Sequence, residues 1–223
     1  MGGHIIHFAM ATGRQPGAQV VFGSGHMGGG KPDGVEAEFP APAPYVVLQL
    51  RRILSDAMHT EHLTLALPGE ADTLALGAAL ASGLARGMVI WLAGDLGAGK
   101  TTLVRGLLRA AGDSGPVKSP TYALVEVHVV SGLNFYHFDF YRFNQAEEYL
   151  DAGLDEYFSE SGICLVEWPD KAAPYLPAAD MRIELRVAPG AEGPGRIARL
   201  TAAGDRGRTC LAGVRSSSLP RPA

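Results

Sequence analysis

The segment MVIWLAGDLGAGKTTLVRGLLRAAG (88–112) constrains the chain more than any other. Residues 88–93 form a continuous apolar run, the pattern of a strand covered on both faces. Residues 101–112 place apolar side chains at helical spacing and end on Gly112, a residue suited to a helix C-terminus. Between them GDLGAGKT (94–101) satisfies the spacing Gly-x-x-x-x-Gly-Lys-Thr. A glycine-rich turn from a buried strand into a helix lets successive N–H groups curl around an oxyanion, and the helix end adds partial positive charge. The expected phosphate cradle is Gly94, Asp95, Leu96, Gly97, Ala98 and Gly99, continued into the helix by Thr102. Lys100 can reach the β- and γ-phosphates of a nucleotide, and the Thr101 hydroxyl can ligate Mg2+.

A second stretch, GHMGGGKP (25–32), shares the spacing and fails on the same physics. Pro32 replaces the hydroxyl residue, and its ring disfavours a helical conformation at Lys31, where the helix should begin. The residues after it, DGVEAEFPAPAP, show no helical period, so this copy is read as a low-complexity coincidence.

The surroundings of that copy differ from the rest of the chain. Residues 1–57 are dense in Gly, Ala and Pro, a composition that buries too little apolar surface to offset the entropy of ordering. They are expected to be a disordered or mis-called extension, with Met58 as an alternative start. From residue 58 to 205 the pattern is α/β: a P-loop NTPase-like mixed sheet flanked by helices, followed by a C-terminal tail at 206–223. Strands are expected at 63–67, 88–93, 122–130, 133–143 and 163–168, with a hairpin turn at Ser131 and Gly132. The segments 181–188 and 196–203 alternate as a closing antiparallel pair. Helices are expected at 69–84 and 101–112, and at 146–158 with an interruption at Gly153.

Composition narrows the function classes. No apolar run is long enough to span a bilayer, and no secretory signal is evident, so the cytoplasm is the expected compartment with no membrane partner. A net charge of −4 argues against a broad nucleic-acid-binding surface. Two cysteines, Cys164 and Cys210, are expected as buried or free thiols rather than a disulfide framework.

A phosphate loop of this kind needs a further carboxylate near its Mg2+, and two are available. Glu167 ends the apolar run ICLV, where such an acid sits at a strand terminus. Asp139 lies in FYHFDFYR, where alternation puts His137, Asp139 and Tyr141 on one face and Tyr136, Phe138 and Phe140 on the other. His137 has no paired His or Cys at suitable spacing and is expected to be a hydrogen-bonded strand histidine, not a metal ligand. In KSPTY (118–122), Ser119-Pro120 starts a turn, and Thr121 can face the γ-phosphate as a nucleotide-sensing residue.

Together, GDLGAGKTTLVRGLL, VKSPTYALVE, YHFDFYR, EEYLDAGLDEYF and ICLVEWPDKA resemble, in order and spacing, the bacterial TsaE (YjeE) family over roughly residues 63–203. The resemblance implies an ATPase, dependent on Mg2+, required for threonylcarbamoyladenosine in tRNA. It acts with TsaB and TsaD, meeting tRNA through that complex, and its hydrolysis resets the complex between turnovers. By the same resemblance Lys100 binds phosphates, Thr101 and Glu167 hold Mg2+, and Asp139 is catalytic through water or the metal. Thr121 sits in a switch-like segment, Trp168 lies by the nucleotide, and Glu70–Thr73, including Ala71 and Thr73, approaches the adenine.

Other classes remain to be separated from it. A nucleotide-gated interaction module would use ATP to order the SPTY segment with little hydrolysis of its own. A small-molecule kinase is disfavoured by the lack of an acceptor-binding or lid motif, and a GTPase by the lack of Asn-Lys-x-Asp.

Overall fold

The computed structural model describes residues 60–158, 161–189 and 195–220. The glycine-rich copy at 25–32 and the expected extension at 1–57 lie outside these residues. Seven strands form one sheet: β1 (Glu61–Leu67), β2 (Val89–Ala93), β3 (Val125–Val130), β4 (Leu133–Asp139), β5 (Ile163–Glu167), β6 (Met181–Ala188) and β7 (Gly195–Ala202). Their spatial order is β1-β7-β6-β2-β5-β4-β3. The centre, β6-β2-β5-β4, is parallel, and antiparallel pairs close both sides. The parallel centre explains why β2 and β5 read as unbroken apolar runs: helices or loops must cover both of their faces.

Helices α1 (Glu70–Ala81) and α2 (Lys100–Ala111) pack together over one face of the sheet. Their approach is close because each offers the other a glycine. A Cβ on Gly77 would stand 2.2 Å from the Leu103 carbonyl oxygen, and one on Gly106 would stand 2.2 Å from that of Leu74. Leu76, Leu80, Leu103 and Leu107 then join strand residues such as Leu65, Ile90 and Leu165 in the larger core. The opposite face carries a second, aromatic core of Phe138, Phe140, Phe143 and Tyr149, the last from the short helix α3 (Glu148–Asp151).

The α2 terminus is specified by its sequence. Gly112 is left-handed, its N–H donates to the Arg109 carbonyl, and the Asp113 N–H donates to that of Leu108, a Schellman closure. At the start of α1, the Asp72 carboxylate accepts the Gly69 N–H at 2.9 Å.

Several boundaries differ from expectation. The strand expected at 122–130 begins at Val125, because residues 121–123 form a turn and Leu124 adopts φ 64°. The strand expected to run to residue 143 stops at Asp139, whose side chain accepts the Tyr141 N–H at 2.9 Å and turns the backbone. The expected helix at 146–158 is α3 followed by a 3-10 segment, Leu154–Phe158, broken at Gly153 (φ 63°). Most of the stretch 206–223, expected as a tail, is helix α4 (Gly204–Arg215). Its Cys210, Leu211 and Val214 are buried in the larger core. Cys164 and Cys210 are both buried free thiols, as expected. Among the described residues, no helix is long and apolar enough to cross a membrane.

Candidate functional site

β2 delivers the chain to the C-terminal edge of the parallel strands, and residues 94–99 turn it into α2. The turn leaves the strand tightly: a Cβ on Gly94 (φ 134°) would lie 2.2 Å from the Leu185 carbonyl oxygen of β6. Gly99, left-handed at φ 106°, is the N-cap residue that aims the first N–H groups of α2 toward the cavity. That cavity holds about 450 Å3 and is walled by the loop, α1, the strand ends and Trp168.

Lys100 lies at its floor, 4% exposed. Its Nζ donates to the carbonyls of Gly94 (2.7 Å) and Asp95 (2.9 Å) and sits 4.0 Å from the Trp168 ring centre. Burial lowers the ammonium pKa against the opposing pull of the Glu167, Asp139 and Asp95 carboxylates. A desolvated cation held beside a helix N-terminus is a receptor for an anion.

The two carboxylates come from neighbouring parallel strands in register, Asp139 of β4 beside Glu167 of β5. Both are 3% exposed. Glu167 Oε1 accepts the Thr101 hydroxyl at 2.8 Å and contacts His137 Nε2 at 2.9 Å. Asp139 Oδ2 accepts the hydroxyls of Ser119 and, at 2.8 Å, Thr121. Alternation along β4 therefore holds: His137 and Asp139 face the site, while Phe138 lies in the aromatic core. The paired oxygens of Thr101 and Glu167 suit a hard dication such as Mg2+, and the positive-φ loop suits phosphate, so both implied groups fit the residues present.

Trp168 follows Glu167 directly, in a left-handed conformation (φ 58°) rare for an aromatic residue. Its ring packs 5.0 Å from that of Tyr141, and both rings line the cavity. Of the segment 70–73, Glu70 and Thr73 line the cavity, whereas Ala71 does not. Sequence reasoning missed Arg196. From β7 its Nε donates to the Ala98 carbonyl (3.2 Å) and its guanidinium reaches that of Gly97 (3.4 Å), clamping the loop from above. The strand alternation of 196–203 gives Arg196 no distinctive signal; only the register of β6 and β7 brings it over the loop.

A mixed sheet with a glycine loop between its central strand and a helix, facing two strand-end carboxylates, defines a P-loop NTPase-like nucleotide-binding protein. The family model described as "Threonylcarbamoyl adenosine biosynthesis protein TsaE" matches residues 67–193. The chain belongs to the TsaE family. It is similar to the tRNA threonylcarbamoyladenosine biosynthesis protein TsaE of Haemophilus influenzae, 43% identical over 130 residues, 56% of this chain and 82% of the relative. The corresponding protein of Bacillus subtilis is 40% identical over 120 residues, 54% of this chain and 73% of the relative. The crystal structure of YdiB from the same genus superposes with a TM-score of 0.59 at 29% identity, covering 70% of this chain and 96% of the other.

Proposed function

We propose that the chain is the ATP-binding and ATP-hydrolysing subunit of a bacterial tRNA threonylcarbamoyladenosine machinery. It works in the cytoplasm with TsaB and TsaD homologues and meets tRNA through that complex. The observation that carries this reading is the convergence of Lys100, Thr101, Glu167 and Asp139 at the N-terminus of α2, in a chain of the TsaE family.

In this reading the N–H groups of residues 94–102 and the Lys100 ammonium hold the β- and γ-phosphates. Lys100 gives up its bonds to the Gly94 and Asp95 carbonyls for stronger charge-assisted ones. Thr101 and Glu167 would hold Mg2+, which, when bound, neutralises charge on the phosphates. Asp139 accepts a proton-bearing water and orients it; Ser119 and Thr121, both bonded to its Oδ2, fix that carboxylate. Thr73 and Glu70 flank the nucleoside end, and Trp168 and Tyr141 supply apolar walls.

A nucleotide-gated interaction module is favoured by one observation. Tyr122, next to Thr121, is 86% exposed, so a segment tied to Asp139 also presents an aromatic side chain outward. ATP turnover by the full chain, alone and with TsaB and TsaD homologues, separates the readings. Partner-stimulated turnover supports the subunit reading. Binding without turnover in either setting leaves the module, and partner-independent phosphorylation of a metabolite contradicts both.

A further inference from the structure

On the α2 side of the β3–β4 hairpin, behind the Glu167 wall of the nucleotide cavity, three side chains converge. Glu126 and His137 are cross-strand partners, and His128 lies two residues along β3 on the same face. One ligand atom from each lies within 4.8 Å of the others, and Glu126 Oε2 is 3.7 Å from His128 Nε2. His137 is fully buried and His128 is 8% exposed, yet His137 Nδ1 and His128 Nε2 have no hydrogen-bond partner. An orphaned polar atom in such a place calls for an explanation.

The second nitrogen of each ring supplies it. His128 Nδ1 contacts Asp113 Oδ2 at 2.7 Å, and His137 Nε2 contacts Glu167 Oε1 at 2.9 Å. A carboxylate only accepts, so each of these nitrogens donates to its carboxylate and the other nitrogen of each ring is the one left to face an ion. Two unpartnered ring nitrogens thus face the Glu126 carboxylate, and each ring is held from behind by a second carboxylate. This is the outer-shell arrangement of histidines that bind metal.

We propose that His128 Nε2, His137 Nδ1 and Glu126 Oε2 form a site for a divalent transition ion of the zinc class. Two imidazoles and one carboxylate favour such ions over Mg2+ or Ca2+, which take oxygen ligands. Tetrahedral coordination asks for ligand atoms about 3.4 Å apart, from metal–ligand lengths near 2.0–2.1 Å. Glu126, whose side chain is 40% exposed, can supply the closing motion by rotation and leaves a fourth position to water. Because His137 also contacts Glu167, the ion fixes the tautomer that donates into the nucleotide site.

The test is Co2+ uptake by the chelator-treated full chain, read by its visible d–d spectrum, followed by displacement with Zn2+. The expected result is saturable one-to-one uptake with the intense bands of tetrahedral cobalt, and Zn2+ displacing it. His128→Gln and Asp113→Asn should each bind about tenfold more weakly or worse. A single cooperative melting transition and unchanged ATP binding in His128→Gln show that its fold is intact; if it misfolds, Glu126→Gln, at the exposed ligand, decides. Absence of saturable uptake overturns the site. So does uptake by intact His128→Gln or Glu126→Gln equal to the parent's, which would place the ion on other histidines such as His4, His7 or His26.

Discussion

The Thr101 hydroxyl lies 2.8 Å from Glu167 Oε1, although 66 positions separate the two residues in the chain. The contact joins the first turn of α2 to the end of β5, and in the proposed function this alcohol and carboxylate are the pair that would hold a nucleotide-bound dication. Glu167→Gln keeps the shape and removes the charge. ATP should still bind in its presence, while the Mg2+ concentration needed for half-maximal binding rises about tenfold or more, as hydrogen bonds to charged groups contribute about 1.5–3 kcal/mol. Titrating Mg2+ at fixed ATP measures it.

Lys100 is predicted to trade stability for binding. Burial lowers its pKa, so the protonated side chain is less favourable in the folded state than in the unfolded chain, and this cost fades as pH rises toward its ordinary value. Lys100→Met should therefore melt at or above the parent temperature at neutral pH while ATP affinity falls at least about tenfold. Calorimetric melting paired with a binding titration reads both, and a large loss of stability would contradict the electrostatic account.

The glycine contact between α1 and α2 predicts a severe packing effect. Gly106→Ala would push a methyl group onto the Leu74 carbonyl, where a Cβ has 2.2 Å. Denaturant unfolding should show a loss of about 1–3 kcal/mol or more, the usual cost of overpacking a core. Alanine is otherwise the better helix former, so a stabilised variant would show that the helices slide apart freely.

How much of this was legible in sequence follows from the range of each signal. The loop at 94–101, the buried strands and the face carrying His137 and Asp139 depend on local spacing, and they read correctly. Helix α4 did not: glycines at 204, 207 and 213 weaken its helical signal, and its buried stripe is only Cys210, Leu211 and Val214. Gly207 is there because a Cβ would stand 2.0 Å from the Asp180 carbonyl oxygen, a fact visible only in three dimensions. His137 read correctly as a hydrogen-bonded strand histidine, through its 2.9 Å contact with Glu167. Arg196 did not, because only the β6–β7 register brings it over the loop.

Acid should weaken the region behind the hairpin. The Asp113 carboxyl is held below its ordinary pKa first by the Gly115 N–H and also by His128. A depressed folded-state value contributes stability above the unfolded pKa of about 3.9, which is lost as pH falls through the lower folded value. Asp113→Asn should be less stable than the parent at neutral pH, and the gap should close below about pH 4. Equal stabilities across that range would contradict the pairing.

The two thiols should be inert in the native protein. Burial pushes Cys164 up to about 12 and Cys210 up to about 11, so almost no thiolate is present near neutral pH. Labelling by a thiol reagent should track global unfolding, with both sites reacting at one rate set by denaturant. Fast labelling of Cys210 in buffer would show that α4 detaches from the core.

The central claim is that Asp139 and its neighbours hydrolyse ATP held by the loop, and Asp139→Asn tests it most directly. Turnover of ATP by the full chain with TsaB and TsaD homologues should fall about 100-fold or more, the scale of losing one preorganised polar group. ATP affinity should stay within a few-fold of the parent's. Turnover at the parental rate in a variant that still binds ATP would contradict the account.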